Sequence, residues 1–308
     1  MYGLIIIGGG PAGVAAGIYA ARKKIKTLLI AESFGGQSLT SADVQNWIGT
    51  KSVSGYDLAR MLEDHLRAQG DIEILEGALA TKIEKTEKGF KVTASDGKTF
   101  ETITILLTSG SSRKKLGVPG EKELDGKGVV YCSICDAPIF NKKIVAVVGG
   151  GNSALEGVID LIPYATDIYV MTRSELRGDP VTQEKVKANP KVKILTMNKI
   201  NEILGVAEGK VTGLKYESKE GEVQELKLDG VFVEIGSVPN SGIAGGLVEI
   251  NPQGEVVVDH KTQRSSLLGV WAAGDVSDVL YKQNNISAGD AVKAVLNIYD
   301  YLHKSNQM

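Results

Sequence analysis

The chain contains two cysteines, Cys132 and Cys135, and two residues separate them. An aspartate, Asp136, follows the second cysteine directly. A closely spaced pair of this kind can cycle between dithiol and disulfide, and an adjacent carboxyl group can give a proton to the thiolate that leaves in the exchange. The motif therefore predicts a redox centre with Cys132, Cys135 and Asp136 as its catalytic residues.

Other interpretations of these residues stay open in the sequence. A structural zinc site needs about four ligands, but there is no second cysteine pair, and the histidines, His65, His260 and His303, are far apart in the chain. An inert buried pair would leave unexplained why both cysteines lie shortly before a glycine-rich segment. Asp136 could instead cap a helix or turn. Redox cycling is the interpretation that we favour.

A glycine-rich segment near the N-terminus has the spacing of a dinucleotide-binding loop. Gly8, Gly10 and Gly13 follow the apolar run Gly3–Ile7 and precede a stretch of small residues that predicts a helix. In such a loop the first glycine permits a tight turn, the second lets the backbone approach a pyrophosphate, and the third lets the helix pack on the strand. The N-terminus of the helix then faces the phosphates.

The same pattern recurs in the middle of the chain, where Gly149, Gly151 and Ala154 follow a second apolar run. Continuous apolar runs are typical of strands buried on both faces of a parallel sheet. Each copy continues with alternating polar and apolar residues around turn signals, which predicts a β-meander over 82–100 and another over 210–228. The sequence thus predicts two copies of one dinucleotide-binding plan.

The two copies differ in the residue that follows their second strand. Glu32 ends that strand in the first copy, and Arg173 lies at the same distance along the chain in the second. A carboxylate there accepts hydrogen bonds from ribose hydroxyls, whereas a guanidinium suits a 2′-phosphate, and Arg177 could add a second donor. The alternatives are a surface glutamate and two solvated loop arginines. No acidic residue occurs at 171–174, so NADPH is favoured over NADH.

The C-terminal segment, from about Gly245, is too short for a third domain and predicts a strand at Glu255–Val258 and a helix from about Ala288 to Leu302. We assign it to the first copy. The predicted fold is α/β, with two Rossmann-like, three-layer ββα dinucleotide-binding domains, the second inserted in the first. The predicted boundaries are 1–112 with 245–308 for the first domain and 113–244 for the second, which carries the dithiol.

Composition excludes several classes of partner. The chain has 308 residues, enough for two domains of ordinary size, with 43% hydrophobic and 23% charged residues. Its formal net charge of -2 provides no overall basic field for nucleic acid or an anionic membrane. No stretch approaches the roughly 18 apolar residues of a membrane span, and the N-terminus has no signal-peptide pattern. We expect a cytoplasmic protein.

The chain has Cys-x-x-Cys-Asp between its two glycine-rich dinucleotide-binding segments, which we call fingerprints. In this arrangement it resembles the low-molecular-weight thioredoxin reductase family. It is close to the flavoprotein subunit of alkyl hydroperoxide reductase, without the N-terminal extension of that subunit. The resemblance covers the whole chain. Further motifs occur in the same order: Gly35-Gly36-Gln37, Asn46-Trp47-Ile48-Gly49, Thr108-Ser109-Gly110, Gly236-Ser237-Val238-Pro239-Asn240, Gly274-Asp275 and Lys282-Gln283.

The resemblance implies FAD in the first site, a nicotinamide dinucleotide in the second, a second domain that rotates, and a homodimer. It also implies that Cys135 faces the flavin and that Cys132 attacks an external disulfide. Together, the fingerprints and the resemblance predict these cofactor-binding residues: Gly8, Gly10, Pro11, Ala12, Gly13, Glu32, Gly36, Gln37, Asn46, Gly110, Gly149, Gly151, Asn152, Ser153, Ala154, Arg173, Arg177, Gly236, Gly274, Asp275, Lys282 and Gln283.

The predicted function is an FAD-dependent enzyme of the thioredoxin-disulfide reductase (NADPH) type. Electrons would pass from NADPH through FAD to the cysteine pair and on to thioredoxin or a similar small dithiol protein. The chain departs from the family pattern at several positions: Ala137 stands for a glycine, Lys282 for an arginine, and Met171-Thr172-Arg173 with Arg177 for the usual His-Arg-Arg run with a further arginine. The alternatives are a dithiol oxidase using oxygen, a reductase fed by NADH or ferredoxin with another acceptor, and a non-catalytic nucleotide sensor. The intact second fingerprint favours the reductase.

Overall fold

A computed structural model describes residues 1–41 and 43–304 of the chain. Its strands, in chain order, are β1 (Tyr2–Gly9), β2 (Thr27–Phe34), β3 (Glu73–Glu76), β4 (Ala80–Thr86), β5 (Gly89–Ala94), β6 (Thr99–Leu107), β7 (Ser111–Arg113), β8 (Val129–Val130), β9 (Ile144–Val148), β10 (Asp167–Met171), β11 (Val192–Leu195), β12 (Lys199–Leu204), β13 (Gly213–Glu217), β14 (Val223–Lys227), β15 (Gly230–Val233), β16 (Ser237–Pro239) and β17 (Val270–Ala272). The α-helices are α1 (Pro11–Arg22), α2 (Gly55–Arg67), α3 (Ser133–Asp136), α4 (Asn152–Leu161), α5 (Pro180–Ala188) and α6 (Asn284–Lys304).

The first sheet has the strand order β3-β2-β1-β6-β5-β4, with β17 paired to the C-terminal half of β6. Strands β1, β2, β3, β6 and β17 run parallel, whereas β4, β5 and β6 form the antiparallel meander. Helix α6 packs against α1 through small and apolar side chains, among them Ala16, Ala20 and Ala294. The C-terminal segment therefore lies with this sheet, and the predicted domain boundaries stay a prediction.

Strand β1 explains why the first apolar run has no polar alternation. Leu4 and Ile6 face one hydrophobic cluster, Ile5 and Ile7 face another, and none of the four is more than 5% exposed. Because both faces of the strand are buried, each position must be apolar. This burial fixes the end of β1 and therefore the position of the glycine loop that follows it.

The second sheet is parallel, in the order β11-β10-β9-β15-β8, and a separate antiparallel sheet contains β12, β13 and β14. Two parallel-sheet units, each with a glycine loop and a meander, confirm the predicted α/β fold class. The second meander begins with β12 at Lys199, earlier than its predicted start at 210. None of the helices in the described ranges is long and apolar enough to cross a membrane.

Strands β7 and β16 pair antiparallel to form a short ribbon, which we call the connecting ribbon. Each of its strands follows a glycine in the left-handed region, Gly110 at φ +66 and Gly236 at φ +97. Positive φ is strained for residues with a side chain. The chain passes between the two sheets twice, once through β7 and once through β16. Each of these connections begins at a glycine whose conformation other residues rarely adopt.

The predicted strand at Glu255–Val258 is wrong, because Val256 forms only isolated bridges, to Ile250 and Ser277. The Val256 N–H donates to the carbonyl oxygen of Val276 at 2.9 Å, and the Val257 N–H donates to that of Glu249 at 3.0 Å. Each bridge pairs a single residue and is not continued by its neighbours, so no continuous ladder forms.

Candidate active site

The first glycine loop has the packing that its spacing predicts. Gly8 has φ +117, and a Cβ atom there would overlap the carbonyl oxygen of Thr108. A Cβ atom on Gly13 would overlap the carbonyl oxygen of Gly8, so the third glycine brings α1 against β1. Gly10 is different, since its Cβ would meet only the Cα atom of Gly36, at 3.9 Å. The surface beside Gly10 is open to a ligand.

The second loop repeats this arrangement with one substitution. Gly149 has φ +148, and a Cβ there would overlap the carbonyl oxygen of Glu234. Ala154, in the third position, is fully buried. Gly151 has no atom within 4 Å of an added Cβ. As in the first loop, the outer positions pack within the protein and the middle glycine leaves space.

A cavity of about 830 Å³ opens beside the first loop. The predicted cofactor residues that line it are Gly8, Gly10, Pro11, Ala12, Glu32, Gly36, Gln37, Gly110, Gly274, Asp275, Lys282 and Gln283. The redox residues Cys132, Cys135 and Asp136 line the same cavity. Two of the residues predicted for the first site do not line this cavity. Gly13 packs against β1. Asn46 contacts a lining residue, because its Nδ2 donates to Gln283 Oε1 at 3.3 Å.

Hydrogen bonds fix several polar groups along this cavity. Gln37 donates from Nε2 to Ser111 Oγ at 3.0 Å and to Asp275 Oδ2 at 3.2 Å. Lys282 donates to the carbonyl oxygen of Ser277 at 2.6 Å and pairs with Glu255 Oε1 at 2.8 Å. Lys282 is thereby held by oxygens of the chain itself, which gives it a structural role at the cavity wall.

A second cavity, of about 450 Å³, opens beside the second loop. The predicted residues that line it are Gly149, Gly151, Asn152, Ser153, Arg173, Arg177 and Gly236. Ala154 lies behind the loop and does not reach it. The backbone N–H of Arg177 donates to the carbonyl oxygen of Gly150 at 2.7 Å. This bond anchors the segment 173–177, which we call the arginine loop, to the second glycine loop. The structure therefore brings both arginines to the second loop.

Cys132 and Cys135 form a disulfide at the start of α3, and both are half-buried. Asp136 is 4% exposed, and its Oδ1 has no hydrogen-bond partner among the described residues. Its side chain caps neither α3 nor the 3-10 turn that follows. Burial raises the pKa of Asp136 to about 7, although the charge of Arg113 opposes the rise and that of Asp43 adds to it. Asp136 can therefore exchange a proton near neutral pH.

The sequence reasoning missed Glu234, which directly follows β15 and precedes Gly236 by two residues. Glu234 is 7% exposed, lines the second cavity, and accepts the Ser133 N–H at Oε1 at 3.2 Å. Burial raises its pKa to about 7, against the opposing charge of Arg113 and the Ser133 N–H bond. A carboxylate after the buried run Val231–Val233 was the available signal, because ligand sites form at the carboxyl ends of parallel strands.

Lys115 was also missed, and it lines both cavities. Its Nζ pairs with Asp125 Oδ2 at 2.8 Å and lies 3.6 Å from the ring centroid of Tyr131. The Tyr131 hydroxyl donates to Oε1 of the buried Glu121 at 3.1 Å. These contacts fix the residue that directly precedes Cys132. Nothing in the local sequence around Lys115 indicates that it reaches two sites.

Comparison with known proteins agrees with this geometry. Residues 2–293 match the family described as pyridine nucleotide-disulphide oxidoreductase. A component of alkyl hydroperoxide reductase from Staphylococcus epidermidis, the one designated F, is 41% identical over 303 residues, which cover 98% of this chain and 59% of that protein. The chain thus spans less than two thirds of the length of this curated relative.

Two solved thioredoxin reductases share the fold along nearly their whole length. The enzyme from Streptococcus pyogenes MGAS5005 is 32% identical, with a TM-score of 0.92 and 99% of both chains covered. The enzyme from Giardia duodenalis is 32% identical, with a TM-score of 0.90 and coverage of 98% of this chain and 99% of that one.

Each glycine loop lies beside its own cavity, and the Cys132–Cys135 disulfide lines the first of these cavities. The chain belongs to the pyridine nucleotide-disulphide oxidoreductase family, within the branch that contains the thioredoxin reductases and this component of alkyl hydroperoxide reductase. The resemblance seen in the sequence motifs is confirmed.

Proposed function

We propose that the protein passes electrons from NADPH through FAD to the Cys132–Cys135 disulfide and on to thioredoxin or a similar small dithiol protein. One observation carries the proposal: the cysteine pair and the first dinucleotide loop line the same cavity. A cofactor held by that loop would lie beside the disulfide. Electrons could then pass between them without crossing the protein interior.

The residues of the first cavity fit FAD. Gly10 leaves room for a pyrophosphate at the start of α1, and Glu32 is placed to accept from ribose hydroxyls. A volume of about 830 Å³ suits a ligand of this size. When bound, FAD would supply two-electron chemistry toward the disulfide. Gln37 and Asp275, which are hydrogen-bonded to each other, would orient it.

The residues of the second cavity fit a phosphorylated nicotinamide nucleotide. Arg173 and Arg177 lie on its wall with the open glycine, Gly151. Guanidinium groups bind phosphate by charge-assisted hydrogen bonds, which favours the 2′-phosphate of NADPH. The loop 171–174 carries no carboxylate for an unphosphorylated ribose. NADH is therefore the weaker donor in this proposal.

The cysteine pair and Asp136 would carry out the exchange with the acceptor. Two electrons break the Cys132–Cys135 bond and leave two sulfur anions, one of which takes a proton. Cys132 then attacks the disulfide of the acceptor, and Cys135 attacks the mixed disulfide to release it as a dithiol. Asp136 holds a proton near neutral pH, so it can donate to the sulfur that leaves.

A steady-state comparison tests this proposal. The protein loaded with FAD is assayed with NADPH or NADH and an oxidised thioredoxin-like protein, alongside Cys132→Ser and Cys135→Ser. We expect NADPH-dependent reduction that either substitution abolishes. Undiminished reduction of the protein disulfide by both variants would disprove the dithiol route. Dithiol-driven oxygen consumption without NADPH oxidation would instead identify an oxidase.

The arginine loop gives a separate prediction for the choice of nucleotide. Arg173→Ala removes a phosphate donor, so the Kd for NADPH should rise roughly 10-fold or more while that for NADH stays nearly constant. Lys185→Ala, an exposed change on α5, is the matched control and should alter neither. Fluorescence titration measures both constants. An equal loss of affinity for NADPH and NADH in Arg173→Ala would contradict recognition of the 2′-phosphate.

A homodimer and a cytoplasmic location stay predictions of the family resemblance.

A further inference from the structure

The short helix that carries the disulfide meets more carboxyl groups than the proposed exchange uses. Ser133, the residue after Cys132, donates its N–H to Glu234 Oε1 at 3.2 Å and its hydroxyl to Asp160 Oδ2 at 2.8 Å. Asp136 ends the same helix. Glu234 and Asp136 are 7% and 4% exposed. Only Asp136 has a part in the exchange described above.

The contact between Ser133 and Glu234 packs beside a glycine of α4. A Cβ atom on Gly157 would lie 3.3 Å from Ser133 Oγ and 3.6 Å from Glu234 Cγ. A side chain at this position would therefore crowd Ser133 and make an ordinary van der Waals contact with Glu234. The contact between Glu234 and the disulfide helix is thus a packed feature of the fold, supported by a third element.

The charges around Glu234 come from several elements. Arg113 of β7 stabilises the ionised forms of both Glu234 and Asp136, whereas Asp160 of α4 and Asp136 of α3 oppose ionisation of Glu234. Lys115, Arg173 and Arg177 line the same cavity as Glu234, and Lys115 is paired with Asp125. A buried carboxyl group beside two other acids is costly to ionise. A further negative charge nearby would add to that cost.

Reduction of the disulfide creates such a charge. Two electrons cleave the Cys132–Cys135 bond to give two thiolates, and one proton from solvent converts one of them to a thiol. We propose that Glu234 is a positioning residue that couples this reduction to proton uptake: it takes a second proton from solvent when the remaining thiolate forms. This inference rests on the proposed redox role of the cysteine pair and assigns that pair a second linked carboxyl group.

The test measures the dithiol equilibrium without nucleotide or protein acceptor. Wild type, Glu234→Gln and the exposed control Glu225→Gln are equilibrated with dithiothreitol buffers at about pH 5.5 and about pH 8.5, on either side of the Glu234 pKa. The two electrons come from dithiothreitol, and alkylation followed by mass measurement counts the thiols. Glutamine keeps the shape and an acceptor for the Ser133 N–H but carries no charge.

At the lower pH, where Glu234 is already neutral, we expect Glu234→Gln and wild type to have the same dithiol–disulfide equilibrium. At the higher pH it should favour the reduced form about 10-fold more, which is about 30 mV for a two-electron couple. The control Glu225→Gln should have the wild-type equilibrium at both pH values. Equal potentials for Glu234→Gln and wild type at the higher pH would overturn the proposal. So would an equal shift at both pH values, because that indicates a structural effect.

Two further variants keep the proposal testable if Glu234→Gln does not fold. Glu234→Asp keeps the charge and should keep the wild-type pH dependence. Arg113→Gln removes the cation that favours ionised Glu234, so the pH dependence should move to higher pH; an unmoved profile would overturn the proposal. If the pair cannot be cycled by dithiothreitol at all, the proposed function itself fails. A normal cycle without pH coupling rejects only the role of Glu234.

Discussion

At the scale of single residues, burial determines the chemistry that Asp136 can perform. An exposed carboxyl group is ionised at neutral pH and has no proton to give. Asp136 is buried beside the disulfide, with one oxygen unpartnered among the described residues, and its pKa is raised to about 7. The same burial that makes it a proton donor also costs stability when the group ionises.

Asp136→Asn should therefore change stability in a pH-dependent way. The folded protein holds this proton up to about pH 7, while the unfolded chain loses it near the ordinary value of 3.8. Wild-type stability consequently falls as pH rises between those values and does not fall further above them. Relative to wild type, the variant should gain on the order of 4 kcal/mol between acidic pH and pH 8.

Urea unfolding of the oxidised protein at both pH values measures this gain, with the exposed Asp64→Asn as control. A difference between variant and wild type that does not depend on pH would show that folding does not raise the pKa of Asp136. The same substitution should lower the rate of disulfide exchange by roughly 100-fold, because it removes the proton donor.

Residue types and spacing predicted Cys132, Cys135 and Asp136, because these three are neighbours in the chain. Glu234 lies far from them in sequence, and its contact with Ser133 exists only in the folded molecule. Lys115 was missed for the same reason, because its position on the walls of both cavities exists only in the folded molecule. Local spacing predicts residues that act with their sequence neighbours, whereas partners across the sheet depend on the packing of strands.

At the scale of elements, the two glycine loops separate packing from binding. In the first loop Gly13 has no room for a side chain because α1 lies directly on β1. In the second loop Gly151 has empty space beside it. The glycines look alike in sequence, but Gly13 is required by packing, whereas Gly151 leaves open space that we assign to a ligand.

Substitution by alanine should distinguish these two roles. Gly13→Ala forces α1 away from β1 and should cost about 3 kcal/mol of unfolding free energy, with loss of bound flavin. Gly151→Ala should change the unfolding free energy by less than about 1 kcal/mol but weaken NADPH binding, because its Cβ would occupy the place of the phosphates. Urea unfolding and nucleotide titration measure both. Equal stability of the two variants would contradict this assignment.

The loops and the strands before them could be predicted because burial on both faces leaves a strong apolar signal. The strand expected at Glu255–Val258 failed because propensity does not encode where each N–H finds its acceptor. Val256 pairs with only single residues, Ile250 and Ser277, and neither pairing continues along the chain. Helix α6 is longer than predicted at both ends, from Asn284 to Lys304.

At the scale of the whole molecule, the nucleotide loops serve separate cavities, and the connecting ribbon joins the sheets that carry them. The disulfide lines the first cavity, while the fingerprint of its own sheet lines the second. The family resemblance implies that the sheets change their relative position when electrons pass between the two proposed cofactors, and this movement stays a prediction. Local sequence patterns cannot predict the shared cavity, because it depends on that relative position.

The ribbon glycines should control this movement. Gly110→Ala places a side chain at φ +66 and should cost about 1–2 kcal/mol and lower kcat for NADPH-driven reduction. The direct reduction of the disulfide by dithiothreitol should not change. Gly97→Ala, at φ +84 in the turn between β5 and β6 with equally open space, carries the same strain and should leave kcat intact. Flavin absorbance confirms equal cofactor content, and equal kcat values for both variants would contradict a ribbon pivot.

Anaerobic titration with NADPH tests the electron path as a whole. Wild-type protein loaded with FAD should consume one more equivalent of NADPH per chain than Cys135→Ser, because the disulfide accepts two electrons beyond those held by the flavin. Thiol counting after the titration should find two new thiols in wild type. Equal NADPH consumption by the two proteins, with the Cys132–Cys135 disulfide intact in wild type, would contradict electron transfer to the cysteine pair.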